Sequence, residues 1–354
     1  MPIQVLPDGR YLPEREGHRV WWCETGLPGG VPVLVLHGGP GGRTRLAPFL
    51  WFHGLPVRCI AFDQRGCGQS LPTGRLQDNT LAHLVEDIER LRVELGLTAW
   101  GVVAGSWGAL LAVAYAAAHP QRVTGLFLRS AFLGSDAEVA LFFEPWASWL
   151  GDGGAAWLGG TAAADPVALL ARDLAQAEGL AVNPSLPARF ASTLSLARVG
   201  FAWQAFEAAQ ARPGGVRAVP GVSFKPPEPA ASAPVTEPDA LPSSLAVQLH
   251  YLRQHCFVEA GRVDAWLQGL QGALAACPVA LVHGRADAVC HPDTTVALSA
   301  HWPQATVRWA DGAGHDMDAP ALHAALKAAA HEWAMALAAR QPGTLVEMLP
   351  GAQT

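Results

Sequence analysis

The run VVAGSWGALLAVAYAAAHP, residues 102–120, decides the fold. An apolar stretch leads into Ser106 and an alanine-rich stretch of helical character leads away, so the serine falls where a strand turns sharply into a helix. Such a turn is crowded, and Gly105 and Gly108 supply the small neighbours it requires. The usual G-x-S-x-G pentapeptide has glycine two residues before the serine; here Ala104 stands there, and one methyl is a mild departure. The pentapeptide alone reads more readily as a serine near a helix start, so the decision rests on the rest of the chain.

Working outward, VWWCET (20–25), PVLVLHG (32–38) and VRCIAFD (57–63) are short β-branched or aromatic runs bounded by Gly and Pro, which predicts strands. TLAHLVEDIERLRVELG (80–96) carries apolar residues at helical spacing, with Asn79 or Thr80 as N-cap and Gly96 as the stop. AWGVVAG reads as a strand, 107–118 as a helix and VTGLFLRSA (123–131) as a strand. This alternation implies an α/β fold, a mostly parallel sheet covered by helices on both faces.

Past Phe132 the rhythm changes. Residues 134 to about 210 are rich in Ala, Leu and Trp, with helix-like patterning, and residues 212–244 are crowded with Pro, Ala and Ser and read as an extended loop. A helical piece, LAVQLHYLRQHCFVE, follows. The strand CPVALVHGRAD (277–287), a helix after His291, the strand ATVRWADG and a long helix from about 320 restore the pattern. The expected organisation is a core of residues 1–133 and 265–354, interrupted by a mainly helical cap over 134–264.

Half of the 354 residues are hydrophobic, enough for a sizeable core, and the net charge of −6 with scattered Lys and Arg argues against nucleic acid or an anionic membrane as partner. Six cysteines, at 23, 59, 67, 256, 277 and 290, fall in apolar or motif-like segments and read as free thiols of a reducing compartment. His250, His255 and Cys256 lie close in sequence, but no CxxC or HExxH occurs, so neither metal nor cofactor is expected. MPIQVLPDGRYLPERE lacks the basic-then-apolar order of a secretory leader, and the apolar run near 109–118 is too short for a bilayer; the expected location is the cytoplasm.

An alcohol is a poor nucleophile at neutral pH, so Ser106 needs a base within hydrogen-bond reach and an orienting group behind that base. In α/β sheets such groups sit on loops at the carboxyl ends of strands. Asp287 follows PVALVHGRAD and His315 follows ATVRWADGAGH, giving the chain order Ser, Asp, His. His315 would take the Ser106 proton and Asp287 would fix its tautomer. The oxyanion would meet the N–H of Trp107, at the start of a helix, and that of Gly39 in HGGPGG. A rival reading takes HGGPGG as a dinucleotide loop with Asp63 on a ribose. From Gly39, however, the third glycine position is Thr44, and Pro40 removes a donor. The alternative for Asp63 is a loop residue bracing Arg65 or nearby backbone.

Taken together, LHGGPGG (36–42), DQRGCGQS (63–70), AGSWGALLAVAYAAAHP (104–120), LRSAF (128–132), GRADAVCHP (284–292) and GAGH (312–315) resemble the proline iminopeptidases of the α/β-hydrolase fold. The resemblance covers both halves of the core and is thin in the insertion. It implies cleavage of N-terminal proline from peptides by Ser106, Asp287 and His315, with Gly39 and Trp107 at the oxyanion. It also implies acidic cap residues that bind the substrate's free amino group. WQAFE (203–207) matches the first cap motif and supplies Glu207; QLHYL (248–252) matches the second, with Gln248 in the place of a glutamate. Phe132, Trp203 and Phe206 are candidates for an apolar pocket, although aromatic cap residues are more often core. Arg129 is a candidate for anchoring the cap or reaching a substrate carbonyl. Cys67 and Cys290 flank motifs without a base partner of their own. Loss of one carboxylate leaves open an esterase, lactonase or amidase of small uncharged acyl compounds, and an inactive binding protein is the third possibility.

Overall fold

The computed structural model describes residues 5–158, 166–168, 172, 186–218, 223–226 and 243–340, with the backbone alone for 186–196. Eight strands form one sheet in the order β1-β2-β4-β3-β5-β6-β7-β8. They are β1 Gly9–Tyr11, β2 Trp21–Gly26, β3 Val31–Leu36, β4 Val57–Phe62, β5 Trp100–Gly105, β6 Val123–Arg129, β7 Val279–Gly284 and β8 Thr306–Ala310. β1 and β2 pair antiparallel at one edge, and the pairs from β4 across to β8 are parallel. The chain moves outward from β3 to β4, then returns past β3 to lay down β5, so the strand order reverses between β3 and β5. Loops leaving the carboxyl ends of those two strands therefore diverge and open a crevice. HGGPGG leaves β3 and Ser106 leaves β5.

Both sheet faces are covered, which is why the parallel strands read as continuous apolar runs. Leu34, Leu36, Val102, Ala104, Leu126 and Leu128 point to one face, among buried residues of the helices Leu81–Glu94, Trp107–Ala118 and Arg262–Leu274. Their alternates Val33, Val35, Val103 and Phe127 point to the other, with Phe49, Trp51 and the helix Pro320–Ala338. A third cluster lies between the helices Asp136–Phe143, Trp146–Trp157, Leu186–Gln210 and Ser243–Arg253, with Trp146, Trp149, Trp203, Phe206, Leu245 and Leu249 at its centre. This is the cap's own core.

Thr80 caps Leu81–Glu94, accepting from the His83 N–H, while Gly96 leaves the helix at φ 65°. Asn79 instead ties the cap to the core. Its amide donates to the carbonyls of Arg65 and Arg75, and its side-chain oxygen accepts from Tyr251 of the cap, 2.8 Å away. Among the elements not expected from sequence are the three-residue β1, the short helix Ala47–Trp51, the turn Gly215–Ala218 within the segment read as an extended loop, and the helix Arg262–Leu274. The boundary read at 264 falls inside that last helix. Residues 219–222 and 227–242 of the proline-rich segment lie outside the described residues. Among the described residues no helix is long and apolar enough to cross a membrane, and no group of His, Cys, Asp and Glu could hold a metal ion.

Candidate active site

Ser106 has φ 55° and ψ −129°. A non-glycine residue in that region is strained and persists only where its surroundings hold it. Its N–H donates to the Arg129 carbonyl on the neighbouring strand at 3.0 Å, and its own carbonyl accepts from Phe132 at 3.3 Å. The flanking glycines are required by contact: a Cβ at 108 would come within 2.9 Å of the Leu36 and His37 carbonyls, and one at 105 within 2.6 Å of Arg129 Nε. Ala104 needs no such clearance, because its methyl is buried in the cluster with Leu36 and Leu128.

Asp287 lies in the turn after β7 and is buried. Its Oδ1 accepts the N–H groups of Val289 and Cys290, each at 2.9 Å, and Oδ2 accepts from His315 Nδ1 at 2.8 Å. Burial alone would push this carboxyl up, but the charge and hydrogen bond of His315 outweigh it and hold the group at about 2. The bond also places the His315 proton on Nδ1 and leaves Nε2 with its lone pair. The Ser106 hydroxyl sits 3.6 Å from Cys290 Sγ, on the same turn that Asp287 caps. In this rotamer it does not hydrogen-bond His315; such bonds commonly form only with substrate in place. Arg129 joins the two sides: its carbonyl holds Ser106 and its Nη1 donates to the His315 carbonyl at 3.0 Å. The structure thus brings Asp287 and His315 into contact and sets Ser106 beside their loop.

The HGGPGG loop is pinned from below. His37 accepts from the Gln64 N–H at Nε2 (3.0 Å) and donates from Nδ1 to the Gly38 carbonyl (2.8 Å); burial holds it neutral. Gln64 then donates to the His37 carbonyl and accepts from the Trp107 indole, both at 3.0 Å, so a single side chain joins the loop after β4, the loop after β3 and the helix after Ser106. A Cβ on Gly38 would lie 3.3 Å from Ser106 Cβ, and Gly39 has φ 131°, a conformation that favours glycine. Trp107 opens its helix, so its N–H has no intrahelical acceptor. Asp63 uses both carboxylate oxygens on backbone, the N–H of Thr44 at 2.6 Å and of Gln69 at 2.7 Å, which is the bracing role and not a ribose contact. Arg65 pairs with Asp87 and Glu16 instead.

From the cap, half-buried Glu207 and Gln248 meet each other, Gln248 Nε2 donating to Glu207 Oε1 at 2.5 Å. Burial pushes the Glu207 carboxyl up from its ordinary value, opposed by the Gln248 bond and by the His315 charge. The helix that carries Glu207 is tied to the His315 backbone. The Ala211 N–H donates to the Glu207 carbonyl at 2.9 Å, and the Ala211 carbonyl accepts from the N–H groups of His315 at 3.0 Å and Asp316 at 3.3 Å.

Phe132 is half-buried next to the elbow, whereas Trp203 and Phe206 correct the sequence expectation of pocket walls. Both are wholly buried, packed against Phe143, with Phe206 also against Phe142, Trp146 and Trp149, because they occupy the helix face that closes the cap core. Arg129 likewise braces the His315 loop from within the core. Sequence reasoning missed Gln64 and His283 as members of this constellation, and the contact of Cys290 with Ser106; the motifs DQRGCGQS and GRADAVCHP were the available signals for Gln64 and Cys290.

The family model that matches residues 31–317 is described as alpha/beta hydrolase fold. A proline iminopeptidase of Xylella fastidiosa is 34% identical over 311 residues, covering 86% of this chain and 90% of that protein. One from Neisseria meningitidis is 33% identical over 333 residues, covering 90% and 94%. Among solved structures, a proline iminopeptidase-related protein of Thermus thermophilus superposes with a TM-score of 0.54 at 23% identity, covering 93% of this chain and 98% of that one. The proline iminopeptidase of Mycobacterium smegmatis gives 0.50 at 20% identity, covering 93% and 99%.

Proposed function

The chain belongs to the proline iminopeptidase family of the α/β-hydrolase fold, and from that membership we propose that it removes the N-terminal residue, proline, from small peptides through an acyl-enzyme. It is a hydrolase of the serine type. The observation that carries the finer reading is the 2.8 Å Asp287–His315 bond beside the same turn as the strained Ser106 elbow. In this reading Ser106 Oγ adds to the scissile carbonyl carbon while its proton passes to His315 Nε2. Asp287 stabilises the imidazolium. The oxyanion is met by the N–H groups of Trp107 and Gly39, each worth about 3–4 kcal/mol in the transition state. His315 then protonates the leaving amine as the C–N bond breaks. Water repeats the sequence on the Ser106 ester and frees the amino acid.

Glu207 supports the exopeptidase part of the proposal, since a carboxylate near His315 suits the ammonium of a substrate's first residue. The test is hydrolysis of chromogenic aminoacyl amides by wild type and Ser106→Ala. Proline amide turnover that vanishes in the variant is expected. Equal rates for the two proteins across a panel of residues would reject it.

Gln248 favours a second reading. A neutral amide where the resemblance calls for a glutamate removes one charge from the amine site, as suits an esterase, lactonase or amidase of small uncharged acyl compounds. Matched substrates with free and blocked amines separate the two, because the aminopeptidase loses most of its rate on blocking and the esterase does not.

A further inference from the structure

His283 is wholly buried on β7, four residues before Asp287. Its Nδ1 meets Thr295 Oγ1 at 2.6 Å and its Nε2 meets the Cys290 carbonyl at 2.8 Å. A carbonyl only accepts, so Nε2 carries the proton and Nδ1 takes the Thr295 hydroxyl proton as acceptor. The same Nε2 is 3.6 Å from Asp287 Oδ2, the oxygen that holds His315. Burial lowers the affinity of His283 for a second proton, which keeps this neutral tautomer. Thr295 is itself buried, in the helix Asp293–His301.

We infer that His283 is a positioning residue: fixed by Thr295, its Nε2–H pins the turn 287–290 and steadies the Asp287 carboxylate that orients the base. The inference rests on the serine-hydrolase reading of Ser106, Asp287 and His315. The turn is where it acts. Cys290 gives its carbonyl to His283, its N–H to Asp287 and its thiol to the Ser106 hydroxyl, so any slack there reaches both the acid and the nucleophile. A carboxylate that turned by one hydrogen bond would misalign the imidazole, and misplacement of about 1 Å carries losses near 100-fold.

The experiment measures second-order labelling by a fluorophosphonate, in which Ser106 Oγ displaces fluoride from phosphorus as His315 takes the proton. It uses the full chain, with Ser106→Ala as the blank and circular dichroism to verify folding. His283→Phe and Thr295→Val should label about 10- to 100-fold more slowly, the range that loss of an orienting outer partner carries elsewhere. His283→Gln, which keeps an N–H near the Nε2 position, and Thr295→Ser, which keeps the hydroxyl, should recover most of the rate. A variant that is merely loosely packed would lose rate in the Gln and Ser substitutions as well. If the wild type labels and the folded variants match it in rate, the positioning role is overturned while the reading of Ser106 stands; if His283→Phe does not fold, the Thr295 pair decides alone. An unlabelled wild type overturns both.

Discussion

On the core wall of the crevice, Asp287 takes two backbone N–H groups as well as His315, and Arg129 ties the Ser106 and His315 loops together. On the cap wall, Glu207 and Gln248 hydrogen-bond each other, and their helical neighbours Trp203, Phe206, Leu245 and Leu249 belong to a largely aromatic cluster. The core wall takes its geometry from strand ends, whose spacing the sheet dictates. The cap wall takes its charge from Glu207, beside the neutral amide of Gln248, and a single substitution can alter it. In the proposed function, reaction type therefore belongs to the sheet, and the choice of substrate to the helices of the cap.

The largest expected effect is on the core wall. Ser106→Ala should lower kcat about 10⁶-fold and abolish fluorophosphonate labelling, and Asp287→Asn about 10⁴-fold with the fold intact; stopped assays on amide and ester substrates alike measure both. Either variant retaining activity on one class alone would break the division between walls. Glu207→Gln should lower kcat/KM for free-amine substrates by roughly 10- to 100-fold, the loss of one charge-assisted bond, and leave blocked substrates unchanged. Gln248→Glu should act in reverse, raising kcat/KM for free amines about tenfold near neutral pH by restoring the second carboxylate. If blocked and free substrates respond alike, the cap wall does not read the amine.

The smallest effect is on stability. Burial raises the Glu207 carboxyl above its ordinary 4.5, so the fold favours its protonated form. Its stabilising contribution is complete below pH 4.5 and is lost as pH rises through the raised value. Glu207→Gln should accordingly melt about 1–2 °C above wild type at pH 7, with the difference vanishing below pH 4.5, as calorimetry across that range would show. Asp287 runs the other way: held at about 2, its contribution is present above its ordinary 3.8 and lost as pH falls through 2.

The same division governs what could be read from sequence. Strands of the core are legible because burial on both faces makes them unbroken apolar runs, and the helix over 107–118 is legible to the residue. Asp287 was legible because it follows such a strand, whereas His315 follows the edge strand β8, whose side chains are mostly only partly buried, and was marked by chain order instead. The helix Arg262–Leu274 was not, because Gly269 and Gly272 interrupt its exposed side and leave only Leu267, Leu270 and Leu274 to mark the buried one. In the cap, the spacing of WQAFE does not say which side chains are core: Trp203 and Phe206 are wholly buried, while Glu207, on the same helix, is half-buried and meets Gln248. Contacts such as Ser106 with Cys290 join residues 184 positions apart, and local periodicity carries no record of them.

The Ala211 carbonyl, shared by the N–H groups of His315 and Asp316, couples the turn of helix that bears Glu207 directly to the His315 backbone. In the proposed aminopeptidase, anchor and proton acceptor would thus be two marks on one gauge, one helical turn and one hydrogen bond apart. A chain whose terminus is seated on the first mark would present its opening peptide bond at the second, and a bond deeper in the chain would overshoot it. On that proposal, counting residues from the end is a property of a rigid spacing, and no recognition of the later residues is needed.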